Sequence, residues 1–455
     1  MTGGPVVPQR ATLMLPSTGE FDSRTYRIAS SLAARGHHVT VLARLAPGLP
    51  DLESHPAGYR IVRVHVDAID GLPLPAGVRR ALRWARSGAS AVPGAVSGAA
   101  DAEEPFSVRP TVAGRMPVGG AARLRRQVAG LRRIAAMALV VRSQQRAGRE
   151  VDRGADLYHS MAYMGVPVGL ALARRHPGAS VVYDARDIYV DAGNLARLPS
   201  PVRRVVGAIE RRWARRAGQV VTVNRPYAEV MARRWSIDQP VIVMNCSYRF
   251  HPPEPRERRF HQHLGIPAGE RVVLYQGGFS PDRGIEQLLD AIGKVPGAVL
   301  VLMGYGPLRA TLEARTATPQ LRGRVYVMGA VAPTELLGWV ACADVVAMPV
   351  QPSTLNHRLT TPNKLLEAMA AGVPVVASDL PGMADIVREA ACGELCDPTS
   401  PDSIAAAIRR LLEAPDAERA ACAARALAAA HGRYNWETQM GYLLEVYGRL
   451  TGQPW

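Results

Sequence analysis

The 455-residue sequence contains almost no lysine. Only Lys294 and Lys364 occur among its 55 basic residues, so the other 53 (55 minus 2) are arginines. With 39 acidic residues, the formal net charge at pH 7 is +16. An arginine excess that accompanies abundant alanine and glycine is typical of a GC-rich genome, so it indicates less about partners than the net charge suggests. Anionic ligands and membrane surfaces both stay open as partners.

Long apolar runs and paired cysteines are also missing. No run approaches the ~18–20 apolar residues that a membrane-spanning helix needs. The N-terminal segment MTGGPVVPQR lacks the charged and apolar stretches of a secretory signal. The sequence therefore predicts a cytoplasmic protein. The five cysteines show no CxxC spacing, which argues against a zinc site and is typical of buried thiols in a reducing compartment.

Aromatic side chains make up 5% of the residues, and no nucleic-acid-binding motif accompanies the arginines. We therefore expect no nucleic-acid partner. No two aspartates are separated by a single residue, so the DxD motif that clamps a metal ion and a diphosphate is absent. From this absence we predict no metal site, and we expect no cofactor.

Short β-branched runs alternate with longer helical patterns in the first half of the chain. The helical patterns include residues 24–35 and 201–217. This alternation predicts βαβ units and a mostly parallel, doubly wound sheet. The predicted strands are Thr12–Leu15, Val39–Ala43, Ile61–Val66, Asp156–His159, Val181–Asp184, Val220–Val223 and Val241–Asn245.

A polar, proline-rich stretch at 248–270 interrupts the alternation and predicts an interdomain linker. The sequence therefore predicts two α/β, Rossmann-like domains, at 1–247 and 271–432, with a ligand between the carboxyl ends of their strands. The strands predicted for the second domain are Val272–Gln276, Val299–Met303, Val325–Met328, Val345–Met348 and Val373–Ser378.

Residues 87–120 do not fit this pattern. They are rich in alanine, glycine, proline and serine and show no periodicity, which predicts a flexible insertion. A helix is predicted at 121–149, where eight arginines surround an apolar stripe. This stripe consists of Leu124, Val128, Leu131, Ile134 and Leu139. The stripe either packs on the N-terminal sheet or makes peripheral contact with the inner face of an anionic membrane.

The most informative segment is TTPNKLLEAMAAGVPVVASDLPG, at 360–382. Either Thr360 or Thr361 is a natural N-cap, followed by a proline suited to the first helical position. Gly372 is a natural residue just beyond the helix C-terminus. The helix between these signals is apolar nearly all round, so we expect it to be buried.

Two charged residues, Lys364 and Glu367, interrupt this apolar helix. As a surface ion pair they would contribute roughly a few tenths of a kcal/mol, but a buried helix leaves little room for such a pair. The alternative is a ligand site. The helix N-terminus and Lys364 would hold an anion, and Glu367 would accept hydrogen bonds from ribose hydroxyls. That arrangement suits a nucleoside diphosphate.

This segment resembles the donor-site signature of retaining family 4 glycosyltransferases of the GT-B fold, in the variant PNK-x-x-E-x-M-A-x-G-x-P-V-V-A. Segments at Tyr275–Ala291, Leu300–Glu313 and Val325–Pro349 resemble the same family in the same order. Residues 433–455 resemble its closing helix, which crosses back to the N-terminal domain. The resemblance implies two Rossmann-like domains that face a central cleft.

The resemblance implies a donor site in the second domain, with Arg283, Lys364 and Glu367 as candidate catalytic residues. The other donor contacts it implies are Gly277, Gly278, Gly304, Gly306, Ala330, Thr361 and Asn363. Physical reasoning agrees, because glycines let the backbone approach a phosphate and Arg283 would pair with the diphosphate in a bidentate manner.

The N-terminal half supplies the candidate acceptor side. Gly19 and Arg24 match the family's first loop and helix, and Arg186 follows a predicted strand. His159, at the end of another strand, is either an acceptor contact or simply a hydrogen-bonded histidine. Asp187 is the fourth candidate catalytic residue, because its carboxylate would bind or orient an acceptor hydroxyl.

Three positions depart from the family pattern. Leu359 stands where the family often has the first of two glutamates, and Gly278 replaces one of two cations that pair with the diphosphate. Arg186 replaces a frequent histidine. Leaving-group charge would then be neutralised by Arg283, Lys364 and a helix dipole rather than by a metal ion.

Together these residues predict a glycosyltransferase of glycan or glycoside biosynthesis. It would move a sugar from a nucleoside diphosphate sugar, such as a UDP-sugar, to a hydroxyl of a small-molecule or lipid-linked acceptor. The family resemblance implies retention of configuration. Two alternatives stay open: a nucleotide-sugar epimerase of the same fold and a nucleotide-sugar-binding protein without catalysis.

Overall fold

A computed structural model describes residues 7–455 apart from 21, 81 and 83–119, and it describes only the backbone of 120–127. The predicted insertion and the side chain of Leu124 therefore lie outside the described residues. The chain divides into two compact units. The first unit comprises Met1–Thr222, Ala228–Val241 and Leu443–Trp455, and the second comprises Val223–Tyr227 and Ile242–Tyr442.

The first unit contains an eight-stranded sheet with the order β3-β4-β2-β1-β5-β6-β7-β8. Its strands are β1 (Arg10–Met14), β2 (His38–Arg44), β3 (Leu52–Ser54), β4 (Arg60–Val64), β5 (Leu157–Met161), β6 (Ser180–Ala185), β7 (Gln219–Thr222) and β8 (Val241–Ile242). The sheet is mostly parallel, as predicted, and β3 runs antiparallel to β4. Strand β3 was not predicted from the sequence, because it is only three residues long and partly polar.

Helices connect these strands, as the βαβ pattern predicts. Those of the first unit are Ser23–Ala33, Ala68–Gly71, Gly120–Val151, Ala162–Ala173, Gly193–Ala196, Ser200–Ala214 and most of Arg225–Trp235, with a 3₁₀ turn at Tyr189–Asp191 and a further helical stretch at 76–80.

The arginine-rich helix Gly120–Val151 is longer than predicted and packs against three other helices of the same unit. Val140 and Val141 are buried, whereas Val128 and Leu131 are exposed. Ile134 and Leu139 are half-buried. The predicted apolar stripe is therefore covered only towards the end of the helix, and its earlier described residues face solvent.

The second unit contains a six-stranded, fully parallel sheet with the order β11-β10-β9-β12-β13-β14. Its strands are β9 (Arg271–Gly278), β10 (Ala298–Tyr305), β11 (Val325–Met328), β12 (Val345–Met348), β13 (Val375–Ser378) and β14 (Gly393–Cys396). Its helices are Arg259–Leu264, Ile285–Ile292, Arg309–Thr316, Leu336–Val340, Leu355–Leu359, Asn363–Ala370, Pro381–Ala390, Pro401–Glu413, Asp416–Gly432 and the first part of Trp436–Thr451.

Both faces of this sheet are covered. On β9, Leu274 packs into one apolar cluster, whereas Val273 and Tyr275 pack into another. Successive side chains of a strand point to opposite faces, so two clusters require helices on both sides of the sheet. The near-continuous apolar runs from which the strands were predicted follow from this double burial.

The predicted linker needs correction. Residues 248–270 belong to the second unit and contain the helix Arg259–Leu264. Phe260 is fully buried there, with its ring centre 5.2 Å from that of Trp339. The prolines and charges that predicted a linker surround one apolar anchor, which fixes part of the segment to the unit.

The parallel sheet of the second unit determines where its site can lie. The strands β9, β10, β11 and β12 end at neighbouring points along one edge, and Gly277 is paired in register with Gly304. Ligands of open α/β sheets bind at this carboxyl edge. In the described part of the chain, no helix is long and apolar enough to cross a membrane.

Candidate functional site

Two glycines bring the ends of β9 and β10 into close backbone contact. A Cβ atom on Gly304 would lie 2.0 Å from the carbonyl oxygen of Gly277, and one on Gly306 would lie 2.5 Å from that of Phe279. Neither position tolerates a side chain. The turn is closed by the Phe279 N–H, which donates to the Tyr305 carbonyl over 2.7 Å. Both predicted turn glycines are therefore required by backbone packing at the carboxyl edge.

Lys364 lies at the centre of the candidate donor site. Its side chain is buried, and Nζ lies 3.6 Å from the centre of the Tyr275 ring. Gly277 lies beside it with φ +117, and a Cβ at this position would be in van der Waals contact with Nζ at 3.5 Å. Burial, together with the charge of Arg283, lowers the pKa of Lys364 from 10.5 to about 7, and the charge of Glu367 opposes this shift. The structure thus holds a partly desolvated ammonium group among cationic and acidic neighbours.

The helix that carries Lys364 begins one residue later than expected. Pro362, rather than a threonine, is the N-cap, and the helix runs over Asn363–Ala370 without a side-chain cap. The hydroxyl of Thr361 is used elsewhere, because it donates to the Gly382 carbonyl over 2.5 Å and accepts from Asn224 over 3.1 Å. The predicted threonine N-cap is therefore wrong, although the helix itself is confirmed.

The C-terminal end of the same helix follows the prediction. Gly372 has φ +64 and donates to the Met369 carbonyl, and Val373 donates to that of Ala368. These two bonds form a Schellman motif, which ends the helix at a left-handed glycine.

Glu367 lies one turn along the helix from Asn363 and is half-buried. Its Oε2 accepts a hydrogen bond from Nε2 of Gln276 over 3.3 Å. Gln276 is buried, and its Oε1 has no hydrogen-bond partner among the described residues. A buried amide oxygen in this state is an acceptor for a ligand donor. Gln276 was not predicted from the sequence, because a single glutamine within an apolar strand carries no motif.

Arg283 lies in the loop that follows β9 and lines a cavity of about 300 Å³ with Gln351 and Ser353. Its Nε donates to the Ser280 hydroxyl over 3.4 Å. The loop turns at Gly284, which has φ +75 and whose Cβ would lie 1.8 Å from the Pro349 carbonyl oxygen. Only glycine fits this turn, so Gly284 fixes the path of the chain beside Arg283.

His357 is a second residue of this edge that was not predicted from the sequence. Its Nδ1 lies 2.8 Å from the Ser353 hydroxyl. Burial lowers its pKa, the charge of Arg283 lowers it further, and Asp282 opposes the shift. The positive charge of Arg283 thus lowers the pKa of both Lys364 and His357 at this edge of the sheet.

The remaining predicted donor residues lie along the same edge. Gly278 ends β9 and is exposed, and its carbonyl accepts from the Tyr275 hydroxyl over 3.0 Å. Ala330 is exposed just after β11, and Asn363 is exposed at the start of its helix. In the described part of the chain, no three His, Cys, Asp or Glu side chains cluster as a metal site.

A buried polar chain occupies the carboxyl edge of the first unit. Nε of Arg24 donates to Oδ2 of Asp184 over 2.6 Å, and Nε2 of His159 lies 3.1 Å from the same oxygen. Nδ1 of His159 lies 2.7 Å from the Tyr447 hydroxyl. Burial would raise the pKa of Asp184, but Arg24 and the hydrogen bond from His159 hold it below 3.8. The carboxylate is therefore ionised.

The tautomer of His159 follows from these neighbours. Burial lowers its pKa, so the ring is neutral. An ionised carboxylate only accepts hydrogen bonds, so Nε2 carries the proton and donates to Asp184. Nδ1 then accepts from Tyr447. Because His159 and Arg24 are both buried, this geometry favours the alternative of a hydrogen-bonded histidine that positions its neighbours.

Arg186 is the more accessible cation of this edge. Its Nη1 lies 2.7 Å from Oδ2 of Asp22, and 26% of its side chain is exposed. Asp22 also caps the helix Ser23–Ala33, because its Oδ1 accepts from the Thr25 N–H over 2.9 Å. Burial would raise the pKa of Asp22, but the charge of Arg186 and these hydrogen bonds lower it. Asp187 is partly exposed beside Arg186, and Gly19 lies in the loop after β1 with φ +89.

Comparisons with known proteins show which family and which fold the chain resembles. Residues 270–414 match the family described as Glycosyl transferases group 1. The chain is 30% identical over 270 residues to a D-inositol 3-phosphate glycosyltransferase of Xylanimonas cellulosilytica, covering 56% of this chain and 62% of the relative. The match therefore spans less than two thirds of that relative's length.

Solved structures resemble the fold over nearly the whole chain. Sucrose-phosphate synthase from Thermosynechococcus elongatus has a TM-score of 0.69 at 21% identity, covering 98% of this chain and 99% of that one. The Anabaena protein HepE, solved in complex with UDP, has a TM-score of 0.63 at 18% identity, covering 97% and 100%. These structural similarities confirm the predicted GT-B fold class. The resemblance of the second unit to glycosyltransferases rests on the match at residues 270–414.

Proposed function

We propose that this protein is a glycosyltransferase that moves a sugar from a nucleoside diphosphate sugar to a hydroxyl of an acceptor. The observation that carries the proposal is the buried Lys364 ammonium, which lies beside Gly277 and within the electrostatic reach of Arg283. A cation held at the end of parallel strands and beside a helix N-terminus favours an anionic ligand. The similarity of residues 270–414 to group 1 glycosyl transferases supports this assignment.

In the proposed reaction, the bond between the anomeric carbon and the diphosphate oxygen breaks, and a bond to the acceptor oxygen forms. Arg283, Lys364 and the N-terminus of the helix Asn363–Ala370 would stabilise the negative charge that develops on the leaving diphosphate. Glu367 and Oε1 of Gln276 would accept hydrogen bonds from hydroxyls of the donor. Asp187 would orient the acceptor hydroxyl, whose proton leaves with the products.

Three finer points belong to the same proposal. The PNK variant of the donor motif would place Lys364, instead of a second cation at position 278, against the diphosphate. Transfer would retain the anomeric configuration, as the family 4 resemblance implies. Transfer would also proceed without a metal ion, because arginine, lysine and the helix dipole would supply the positive charge.

The names of the proteins that this chain resembles suggest which donor and which acceptor to test first. One relative is named for D-inositol 3-phosphate, and HepE was solved with UDP. We therefore propose a UDP-sugar as the first donor and a phosphorylated cyclitol as the first acceptor. A small soluble acceptor and a lipid-linked one share the same hydroxyl chemistry, so both types belong in the panel.

Peripheral membrane contact is a further part of this proposal. Val128 and Leu131 are 43% and 55% exposed on the arginine-rich helix, close to the exposed Arg132. Exposed apolar side chains beside arginine suit the interface of an anionic membrane. Such contact would bring the enzyme to a membrane-proximal acceptor without a spanning helix.

The test is a panel of nucleoside diphosphate sugars incubated with and without acceptors, with products identified by mass spectrometry and the anomeric configuration assigned by NMR. We expect glycosylated acceptor and free nucleoside diphosphate in equal amounts, with activity unchanged in EDTA and strongly reduced in Arg283→Gln. A changed donor without any acceptor product would indicate an epimerase, and donor binding without turnover would indicate a non-catalytic binding protein. Loss of activity in EDTA, with recovery in Mg²⁺, would contradict the metal-free mechanism.

A further inference from the structure

A second cavity lies within the first unit, and none of the predicted site residues lines it. Its volume is about 510 Å³. It lies among the helix Ser200–Ala214, the helix Arg225–Trp235 and the segment 188–191. Pockets that bind small ligands typically have volumes of about 300–1,000 Å³, so this cavity has room for a small organic molecule.

The cavity has an excess of positive charge. Arginines at 203, 204, 211 and 234 line it together with the acidic residues Asp191 and Glu210. Four positive and two negative formal charges leave a balance of +2 (4 minus 2). Burial raises the pKa of Glu210 from 4.5 to about 7, although Tyr183 and Arg234 oppose the shift. Near neutral pH this carboxyl group is therefore partly protonated, and the positive excess is then larger.

Three of the four lining guanidinium groups, those of Arg203, Arg211 and Arg234, have hydrogen-bond or ion-pair partners. One carboxylate, that of Asp191, binds both Arg203 (3.2 Å) and Arg234 (2.6 Å). Nη2 of Arg211 donates to the Ser236 hydroxyl over 2.9 Å. Nε of Arg203 is buried and has no hydrogen-bond partner among the described residues. A fixed donor in this state points to an acceptor supplied by a ligand.

One wall of the cavity is apolar. Val190, Met231 and Trp235 line it, and the Trp235 ring stacks on that of Tyr183 with 5.6 Å between their centres. The Tyr183 hydroxyl donates to Oε1 of Glu210 over 2.7 Å, which fixes the floor of the cavity. A ligand with an anionic group and a short organic part would bind the arginines with the first and contact the apolar wall with the second.

We propose that this cavity binds a phosphate monoester. Guanidinium forks match phosphate oxygens in pairs, and a monoester carries close to two negative charges at neutral pH. That charge equals the formal excess of the lining side chains. The helix Ser200–Ala214 runs along the cavity, which it lines from Ser200 to Arg211. The phosphate would compete with Asp191 for Arg203 and Arg234, and its organic part would lie against the apolar wall.

The site is separate from the donor site and does not depend on the proposed transferase activity. Two sources could supply its ligand: a soluble phosphate monoester or the headgroup of phosphatidic acid. The segment 188–191 follows directly after Arg186 and Asp187, so an occupied cavity would hold the chain next to the candidate acceptor residues.

The experiment measures binding of glycerol 3-phosphate to the full chain by isothermal titration calorimetry, and binding of phosphatidic acid and phosphatidylcholine vesicles by flotation. The test variant is R204Q/R211Q, which removes two lining charges and leaves both ion pairs of Asp191 intact. The matched control is R212Q/R215Q, which removes two exposed arginines at the same helix that do not line the cavity. A second test variant, R203Q, removes the buried unpaired donor, and thermal unfolding monitors its folding.

We expect R204Q/R211Q to weaken glycerol 3-phosphate binding at least tenfold and the control to change it by less than twofold. R283Q and R186Q should leave this binding intact. Binding only to phosphatidic acid vesicles, with the same loss in R204Q/R211Q, would support the lipid headgroup as the source. Equal losses in R204Q/R211Q and R212Q/R215Q, dependence on Arg283 or Arg186 alone, or no binding of either probe would each overturn the proposal.

Discussion

The ammonium group of Lys364 lies 3.6 Å from the centre of the Tyr275 ring, where a cation–π contact replaces part of its hydration. The hydrogen bond from the Tyr275 hydroxyl to the Gly278 carbonyl fixes the ring in this position. The cation is therefore placed by β9 as well as by its own helix, and its protonation is sensitive to what binds beside it.

Nucleoside diphosphate binding should take up a proton above neutral pH. Lys364 has a pKa lowered to about 7, and a diphosphate beside it would restore the protonated form. At pH 8 we expect uptake of roughly one proton per bound ligand, and an affinity that falls up to about tenfold per pH unit above 7. Calorimetry in buffers of different ionisation enthalpy measures this uptake. K364M should abolish it, whereas K294M, at the other lysine, should not.

Removal of the charge at Glu367 should weaken donor binding without unfolding the protein. E367Q keeps the shape of the side chain but loses charge-assisted hydrogen bonds to hydroxyls, which costs on the order of 1.5–3 kcal/mol. Nucleoside diphosphate affinity should fall accordingly, and a free nucleobase without ribose should bind both proteins equally. The matched control is E418Q, on an exposed position of the same unit. Equal nucleotide affinity for E367Q and wild type would exclude contact with the ribose.

Loss of the Tyr447 hydroxyl should destabilise the first unit. Y447F leaves Nδ1 of the buried His159 without its donor, which costs about 1–3 kcal/mol. Chemical denaturation measures the change in unfolding free energy. Y442F, at an exposed tyrosine of the same helix, should change this free energy by less than about 0.5 kcal/mol. If both substitutions have the same small effect, the chain from Tyr447 to Arg24 does not stabilise the fold.

Glu210 should make the protein less stable as pH rises from about 5 to 7. Its folded-state pKa is raised from 4.5 to about 7, so the folded state binds more protons than the unfolded state in this window. The contribution of protonated Glu210 to the free energy of unfolding is fully present below the unfolded-state pKa. It is lost as the pH rises through the folded-state pKa. E210Q should flatten the pH profile and add on the order of 2–3 kcal/mol at pH 8. E229Q, at an exposed position, should leave the profile of the wild type unchanged.

Membrane contact by the arginine-rich helix should depend on salt and on two exposed apolar residues. The protein should float with phosphatidylglycerol vesicles at low salt and remain unbound at high salt, because exposed charges are screened. V128Q/L131Q should reduce flotation, whereas V205Q, at an exposed valine of another helix, should not. A protein that stays unbound with anionic vesicles at low salt does not use this helix on membranes.

Structural elements that depend on local sequence patterns, such as a buried helix and its C-terminal end, were predicted correctly. The apolar run around Lys364 and the glycine at 372 predicted a buried helix and its C-terminal end, and both are present. The predicted N-cap failed because Thr361 has a better use in the folded chain, as donor to the distant Gly382 carbonyl. The local preference for threonine at an N-cap does not take account of hydrogen-bond partners that are distant in the sequence.

Contacts between distant residues were beyond the sequence. Tyr447 and His159 are 288 positions apart, and no local sequence pattern at either residue predicts their contact. Gln276 was overlooked for the same reason, because only the fold brings its amide to Glu367. The cavity beside Arg203 also needed the fold, since arginine is so frequent in this chain that a cluster does not stand out.

The first unit is discontinuous in sequence, and this has a consequence for its synthesis. Leu443–Trp455 completes a unit whose sheet begins at Arg10, and Tyr447 supplies the hydroxyl that pairs with His159. A ribosome must therefore make the whole intervening second unit before the first can close its core. The nascent chain should stay protease-sensitive around β5 until Leu443–Trp455 has been synthesised, while the second unit is already able to fold.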